Sequence, residues 1–166
     1  MKIYRTAIVF VLGLSLAAVG QTAKARKPLS AKKFDAAAES ALAAMKKTAA
    51  ELKVTGVAVV CYAQGDTVQS WNSKMAVVGR SKDEPSATAK GVNLIAIAYS
   101  KAAEMADTRK DSGTDGRPPM TGEFGYHGGL ILHTASGYFM VVFSGGKSED
   151  DVAISRVGLE RLKSTF

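Results

Sequence analysis

Cysteine is almost absent from this sequence, because Cys61 is the only one among 166 residues. A single cysteine excludes an internal disulfide, even in an oxidising compartment. Cys61 lies inside an apolar run, residues 57–62, which is typical of a small hydrophobic side chain on a buried strand. A catalytic thiolate needs a neighbouring base and some exposure to solvent, and the sequence indicates neither. We therefore expect Cys61 to belong to the core.

Other signatures are missing too, and each absence argues against a class of function. No long basic stripe is present, which argues against nucleic-acid binding. No recognised nucleophile motif supports hydrolytic catalysis. The only two histidines, His127 and His133, have no evident third partner for a zinc site. Asp111 and Asp115 lack the alternating ligands and the final glutamate of a calcium loop.

Residues 1–25 have the three parts of an export signal. They contain a positively charged start, an apolar stretch too short to span a bilayer comfortably, and the small residues of a cleavage site. We predict cleavage after Ala25, which leaves residues 26–166 as a single domain with one core. The alternative is an uncleaved membrane anchor.

Cleavage at this position changes the charge and the predicted location of the protein. It removes three of the 22 basic residues and none of the 15 acidic ones, so the formal net charge falls from +7 to +4. This mild excess suits an acidic small ligand. No cysteine lies near the cut, so a lipid anchor has no attachment residue. We expect a soluble, periplasmic or secreted protein without a stable membrane anchor.

Hydrophobic periodicity predicts a chain that alternates helices with pairs of strands. The predicted helices cover residues 30–53, 83–107 and 148–163, and the predicted strands cover residues 57–63, 67–71, 130–132 and 138–143, with a further short strand at 75–79. Residues 64–66 and 135–137 are the predicted hairpin connections, and residues 108–122 form a long loop. At the last helix, residues 148–151 match a capping box and Gly158 permits close packing on the sheet.

The pattern within the strands predicts how these elements are layered. Residues 57–63, 130–132 and 138–143 are apolar at nearly every position instead of alternating, which indicates central strands buried on both faces. Hairpin connections imply an antiparallel sheet. Helices must then cover both sides of it, so we predict an α+β fold arranged as a three-layer α/β/α sandwich.

A glycine-rich loop with a histidine leads into the last hairpin. Its residues Tyr126, His127, Gly128 and Gly129 directly precede an apolar strand, so we expect a site at the mouth of this hairpin. Tyr99, on the apolar middle helix, could also reach a ligand from its face, but core packing is the interpretation that we favour for it.

Several segments of the chain resemble the GlcG/HbpS family of haem-degrading domains (DUF336). Residues 143–151 read Phe-Ser-Gly-Gly-Lys-Ser-Glu-Asp-Asp and lead into Gly-Leu-Glu-Arg-Leu at 158–162, which is similar to the end of that family. The Val-Ala-Val-Val strand at 57–60 and the Lys101-Ala102 pair match in order and spacing. The resemblance implies a profilin-like fold, homo-oligomers up to octamers, and binding of haem (heme) or a corrinoid. Exported members bind haem and degrade it slowly.

Haem binding requires an axial donor, apolar walls and cations for the propionates. His127 is the first candidate for the iron ligand, with Tyr126 and His133 as alternatives. Gly128 and Gly129 let a flat molecule approach the backbone, while Arg117, Arg109 and Lys110 are candidates for the propionates. The alternative is that His127 is an ordinary loop residue and His133 a strand-end residue facing water.

Three functions therefore remain open at this point. The first is an exported haem-binding protein, with or without slow oxidative haem degradation. The second is an accessory factor or enzyme that acts on a small acid or a corrinoid. The third is a non-catalytic oligomeric partner of an envelope sensor protein.

Overall fold

The structure, a computed structural model, describes residues 28–114 and 116–166. The predicted export signal, residues 1–25, lies outside the described residues. The elements are α1 (Ala31–Glu51), β1 (Gly56–Gln64), β2 (Trp71–Val78), β3 (Lys82–Asp83), β4 (Val92–Asn93), α2 (Leu94–Thr108), β5 (Gly129–His133), β6 (Gly137–Ser144) and α3 (Ser148–Lys163). Among the described residues, no helix is both long enough and apolar enough to cross a membrane.

β1 and β6 form the centre of a four-stranded sheet with the order β2-β1-β6-β5. Every neighbouring pair is antiparallel, and β1 pairs with β6 from Val57 opposite Ser144 to Gln64 opposite Gly137. All residues of β1 except Gln64 are buried. The apolar runs at 57–63 and 138–143 thus mark the two strands that have neighbours on both sides and helices on both faces. The prediction that residues 130–132 form a central strand is wrong, because β5 lies at the edge of the sheet and is only partly buried.

The two faces of the sheet carry separate hydrophobic cores. Ala58, Val60 and Tyr62 of β1 pack on the side of α1 and α3. Val59 and Cys61 point the other way and pack on the side of α2. This alternation follows from the two-residue repeat of a strand. The predicted α+β fold, a three-layer sandwich around an antiparallel sheet, is confirmed.

Cys61 is fully buried, as predicted. Burial raises the pKa of its thiol to about 12, because the thiolate would lose its hydration. The thiol therefore stays protonated at neutral pH and acts as a small hydrophobic group.

The second strand was predicted at the wrong place. β2 covers Trp71–Val78, whereas residues 67–70 lie in the connection from β1, with Val68 exposed. The predicted tight connection at residues 64–66 is also wrong, because β2 begins only at Trp71 and the connection from β1 is longer. The further short strand predicted at 75–79 falls almost entirely within β2. The first half of this edge strand is mostly polar, so its sequence lacks the long apolar run that identifies β1.

The start of α2 was also predicted wrongly, at residue 83 instead of Leu94. Asp83 pairs with Val92 in the small β3–β4 ribbon, and Gly91 turns the chain with a φ of +77°. The helix begins after Asn93, whose side chain accepts a hydrogen bond from the Ala96 N–H at 3.0 Å. The acidic residues and proline at 83–85 resemble a helix start, but Asp83 ends β3 and residues 84–85 belong to the connection to β4.

Gly158 confirms the prediction that α3 lies very close to its neighbours. A Cβ atom at this position would lie 2.7 Å from Met45 Sδ and 2.9 Å from Val141 Cγ1. The absence of a side chain therefore lets α3 approach both α1 and β6.

We predict that Gly158→Val lowers the free energy of unfolding by about 1–3 kcal/mol, because the added methyl groups overpack this contact. Urea denaturation followed by circular dichroism measures the change. Ala153→Val is the matched control on the exposed side of α3, where only helix propensity changes, by less than about 0.7 kcal/mol. Equal effects of the two substitutions would contradict the close packing at Gly158.

Candidate functional site

A cleft of about 260 Å³ opens where β6 ends and α3 begins. The 109–128 loop, described without residue 115, provides Tyr126 and His127 at its mouth. The other walls come from the ribbon, from α2 and from the segment between β6 and α3. They include Arg80, Asp83, Val92, Ile97, Lys101, Gly146, Ser148 and Asp151.

The imidazole of His127 is exposed and forms no hydrogen bond with any described residue. Beside it, the rings of Phe124 and Tyr126 stack with their centroids 5.6 Å apart and an interplanar angle of 21°. These two side chains are 49% and 51% exposed. The mouth of the cleft thus combines a free nitrogen donor with a flat aromatic surface.

Buried polar contacts hold the 109–128 loop on the body of the domain. Ser112 Oγ donates a hydrogen bond to the Tyr126 carbonyl and accepts one from the Gly129 N–H, both at 2.8 Å. The Glu104 carboxylate of α2 accepts from the Gly113 N–H at 2.8 Å. The loop is therefore fixed on both sides of its middle, and His127 has a defined position.

Arg117 closes this loop by an ion-pair network. Its guanidinium lies 2.6 Å from a Glu123 oxygen and 2.8 Å from an Asp107 oxygen. The Glu123 carboxylate also accepts the Met120 N–H at 2.8 Å. Arg117 is thus engaged with the protein's own carboxylates and does not reach the cleft.

Beneath His127 lies a buried ion pair that the sequence analysis missed. Lys101 Nζ is 2.9 Å from Asp151 Oδ2 and donates to the Phe143 carbonyl at 2.9 Å. The other Asp151 oxygen accepts the Gly146 N–H at 2.8 Å. The two side chains are only 3% and 6% exposed. Lysine is rarely buried to this degree without a partner. A single lysine within the apolar face of a helix could therefore have indicated a buried ion pair from the sequence.

Burial lowers the pKa of Lys101 and raises the pKa of Asp151, because each charged form loses hydration, while their mutual attraction opposes both shifts. Asp151 also explains why the predicted capping box is wrong. The N-cap of α3 is Lys147, which makes no side-chain cap hydrogen bond. The Asp151 carboxylate pairs with Lys101 instead of accepting the backbone N–H of Ser148, as a capping box would require.

Gly128 and Gly129 fit directly against this interior. A Cβ atom on Gly128, which has a φ of +116°, would lie 2.7 Å from both Lys101 Nζ and Asp151 Cβ. One on Gly129 would lie 2.7 Å from Met105 Cε. The Gly128 carbonyl also accepts from Ser155 Oγ at 2.7 Å. Gly128 therefore lets the loop pack on the ion pair, and Gly129 lets it pack on Met105.

The remaining predicted site residues are elsewhere. His133 lies at the far end of β5, about 13 Å along the strand from Gly129, with its Nε2 3.3 Å from the Arg109 carbonyl oxygen. Tyr99 faces β2, with its hydroxyl 3.2 Å from Ser73 Oγ. Arg109 lies over the Tyr138 ring. The structure brings together Tyr126, His127, Gly128 and Gly129, and it separates them from His133, Tyr99 and Arg117.

Arg80 is a cation of the cleft that sequence reasoning missed. Its guanidinium donates to the Thr55 carbonyl at 2.7 Å, to the Gly145 carbonyl at 3.0 Å and to Asp83 Oδ1 at 2.7 Å. No pattern in the sequence connects it with residues 126–129, because the β2–β3 connection that carries it comes near them only in the tertiary fold.

Comparison with known proteins adds no relative: no protein-family model, curated protein or solved structure matches this chain. Within the described residues, no group of three or more His, Cys, Asp or Glu side chains is arranged to hold a metal ion. The resemblance to the GlcG/HbpS family therefore stays a prediction from short motifs.

We predict that Lys101→Met and Asp151→Leu each lower the free energy of unfolding by about 3–5 kcal/mol, because each leaves a buried charge without its partner. The double variant loses much less than the sum, since no unpaired charge remains. Urea denaturation at pH 7 completes the double-mutant cycle. The exposed pair Lys163 and Glu160 is the control, where Lys163→Met changes stability by less than about 1 kcal/mol. Additive effects of Lys101 and Asp151 would contradict a coupled pair.

The Arg117 network predicts an acid-sensitive loop. The hydrogen bond from Arg117 lowers the pKa of Glu123 from 4.5 to about 2, helped by the Met120 N–H and opposed by burial. Its contribution to stability is complete above pH 4.5 and is lost as the pH falls through about 2. NMR titration of the carboxyl carbon measures the midpoint. Arg117→Met should return it towards 4.5 and the control Lys110→Met should not; a wild-type midpoint near 4.5 would exclude the network.

Proposed function

We propose that this protein binds haem, or a similar flat and acidic ligand, at the mouth of the cleft, with His127 as the ligand of the iron. One observation carries the proposal: an imidazole that is exposed and has no hydrogen-bond partner among the described residues lies next to a stacked, half-exposed aromatic pair. Imidazole is a common axial ligand of haem iron. Exposed aromatic rings that lie together favour contact with another flat apolar surface.

The fixed position of the loop supports this proposal. Ser112 holds the Tyr126 carbonyl, and Ser155 with the Phe143 N–H holds the Gly128 carbonyl. The backbone on both sides of His127 is therefore anchored before a ligand arrives. Such preorganisation lowers the entropy lost on binding.

The cleft fits part of a porphyrin. At about 260 Å³ it is smaller than the roughly 300–1,000 Å³ of pockets that enclose drug-sized ligands. The porphyrin would therefore lie across the mouth, against the Phe124–Tyr126 surface, with half-buried Ile97 and exposed Val92 as further apolar contacts. Bound haem would supply iron redox chemistry, whereas these residues would bind and orient it.

The acid groups of the ligand would meet Arg80 at the wall of the cleft. Its side chain is 36% exposed and already forms an ion pair with Asp83. Arg117 and Arg109, predicted for this role, are engaged elsewhere. If residues 1–25 direct export, the protein would carry or sense its ligand outside the cytoplasm. A second subunit over the mouth would enclose the exposed side of the porphyrin.

A second candidate is a small carboxylic acid within the same cleft. The enclosed volume suits a molecule smaller than a porphyrin. Arg80 already donates from Nε, Nη1 and Nη2 to the protein, so it can add one charge-assisted hydrogen bond to a carboxylate through its remaining Nη2 hydrogen. This candidate does not use His127 as an iron ligand, so the two functions differ in their response to its removal.

Hemin titration of the purified protein distinguishes the candidates. We expect a Soret shift that saturates at one hemin per chain, and a loss of affinity of about tenfold or more in His127→Ala. His133→Ala is the matched control and should bind like the wild type, because His133 lies outside the cleft. No saturating Soret shift in the wild type would exclude haem binding. If Tyr126→Ala loses affinity for hemin and His127→Ala does not, the iron ligand is the Tyr126 phenol. Addition of ascorbate to the complex then tests degradation through loss of porphyrin absorbance.

A further inference from the structure

A second cleft, of about 370 Å³, lies at the opposite end of the sheet. We propose that it binds a small aromatic carboxylate, about one ring with a short acidic side chain. The walls are the start of α1, the β5–β6 turn and Phe166, which follows α3. The proposal goes beyond the function suggested above, because no residue of this cleft lines the one at His127.

Three aromatic rings form the apolar side of this second cleft. The Tyr62 and Phe139 centroids are 4.8 Å apart, and those of Phe139 and Phe166 are 4.9 Å apart. Tyr62 and Phe139 are buried, whereas Phe166 is 50% exposed. An aromatic ligand ring would extend this row and cover Phe166, with the offset or tilted contacts that aromatic pairs prefer.

A hydroxyl pair provides the polar group that orients the ligand. Tyr62 Oη and Ser136 Oγ lie 3.0 Å apart, and either one can be the donor. Two hydroxyls carry two donor hydrogens, and their mutual bond uses one. The second hydrogen has no acceptor among the described residues. Tyr62 is only 3% exposed and Ser136 is half-buried, so an acceptor oxygen from a ligand could take this hydrogen in place of water.

Charge at the rim selects an anion. Lys33 lines the cleft, is exposed, and forms no ion pair within residues 28–114 and 116–166. Lys32 adjoins it, and the first turn of the 21-residue α1 contains no acidic residue. Cations at this end of a helix add to the positive pole of its dipole instead of balancing it. A carboxylate held by Lys33 would offset both charges.

The volume of the cleft limits the ligand to a compact molecule. It lies near the lower end of the roughly 300–1,000 Å³ typical of ligand pockets. Apolar rings on one side, a hydroxyl donor in the wall and an ammonium at the rim match a ring at one end of the ligand and a carboxylate at the other.

The experiment uses phenylacetate, indole-3-acetate and the neutral analogue phenylacetamide, titrated into the ¹⁵N-labelled protein. We expect saturable amide shifts at residues 29–33, 62 and 134–139 with the two acids. Lys33→Gln should weaken acid binding about threefold to tenfold without changing phenylacetamide binding, and Ser136→Ala should weaken both by a similar factor. Lys32→Gln is the matched control: it removes a neighbouring charge outside the cleft and should have a smaller effect.

Three outcomes would overturn the proposal: no saturable shift with either acid, shifts confined to other residues, or equal weakening by Lys33→Gln and Lys32→Gln. His127→Ala should leave phenylacetate binding unchanged, so a failure here is distinguishable from a failure of haem binding. Far-ultraviolet circular dichroism confirms that each variant is folded before titration.

Discussion

The ion pair between Lys101 and Asp151 joins the two helical layers of the sandwich at one end of the sheet. Lys101 comes from α2 on one face, Asp151 from α3 on the other, and both are tied to the backbone where β6 ends. A buried pair of this kind is weak support for stability, because desolvation offsets most of the attraction. The pair instead favours one arrangement of α2, α3 and the end of β6, because an arrangement that separated the two side chains would leave each buried charge without a partner.

That arrangement also determines where the candidate ligand of the iron lies. Gly128 packs on the pair so closely that a side chain would collide with it, and its carbonyl is held by Ser155. His127 directly precedes Gly128, so this contact also fixes the position of its backbone, while its imidazole is exposed to solvent. The exposed imidazole thus depends on a buried contact between Gly128 and an ion pair in the wall of the same cleft.

The sequence allowed the centre of the fold to be predicted but not its edges. Residues 57–63 and 138–143 are apolar without interruption because both faces are buried, so one pattern indicates strand and layering together. β2 is an edge strand, and its half-exposed residues give no such signal. The start of α2 was predicted too early because residues 83–85, at the end of β3, resemble the start of a helix. Residues 126–129 were found since they are neighbours in sequence, whereas Lys101 and Asp151 are 50 residues apart and meet only through the fold.

The burial of β1 and β6 also explains why both candidate sites lie at the ends of the sheet. Helices cover the two faces of these strands, so a ligand can reach the core only where strands end and loops begin. One end has polar anchors, a fixed loop and a free imidazole; the other has a row of rings, a hydroxyl pair and a cationic helix start. Because the same sheet supports such different ends, the fold alone does not determine function, and each end has to be judged by its own chemistry.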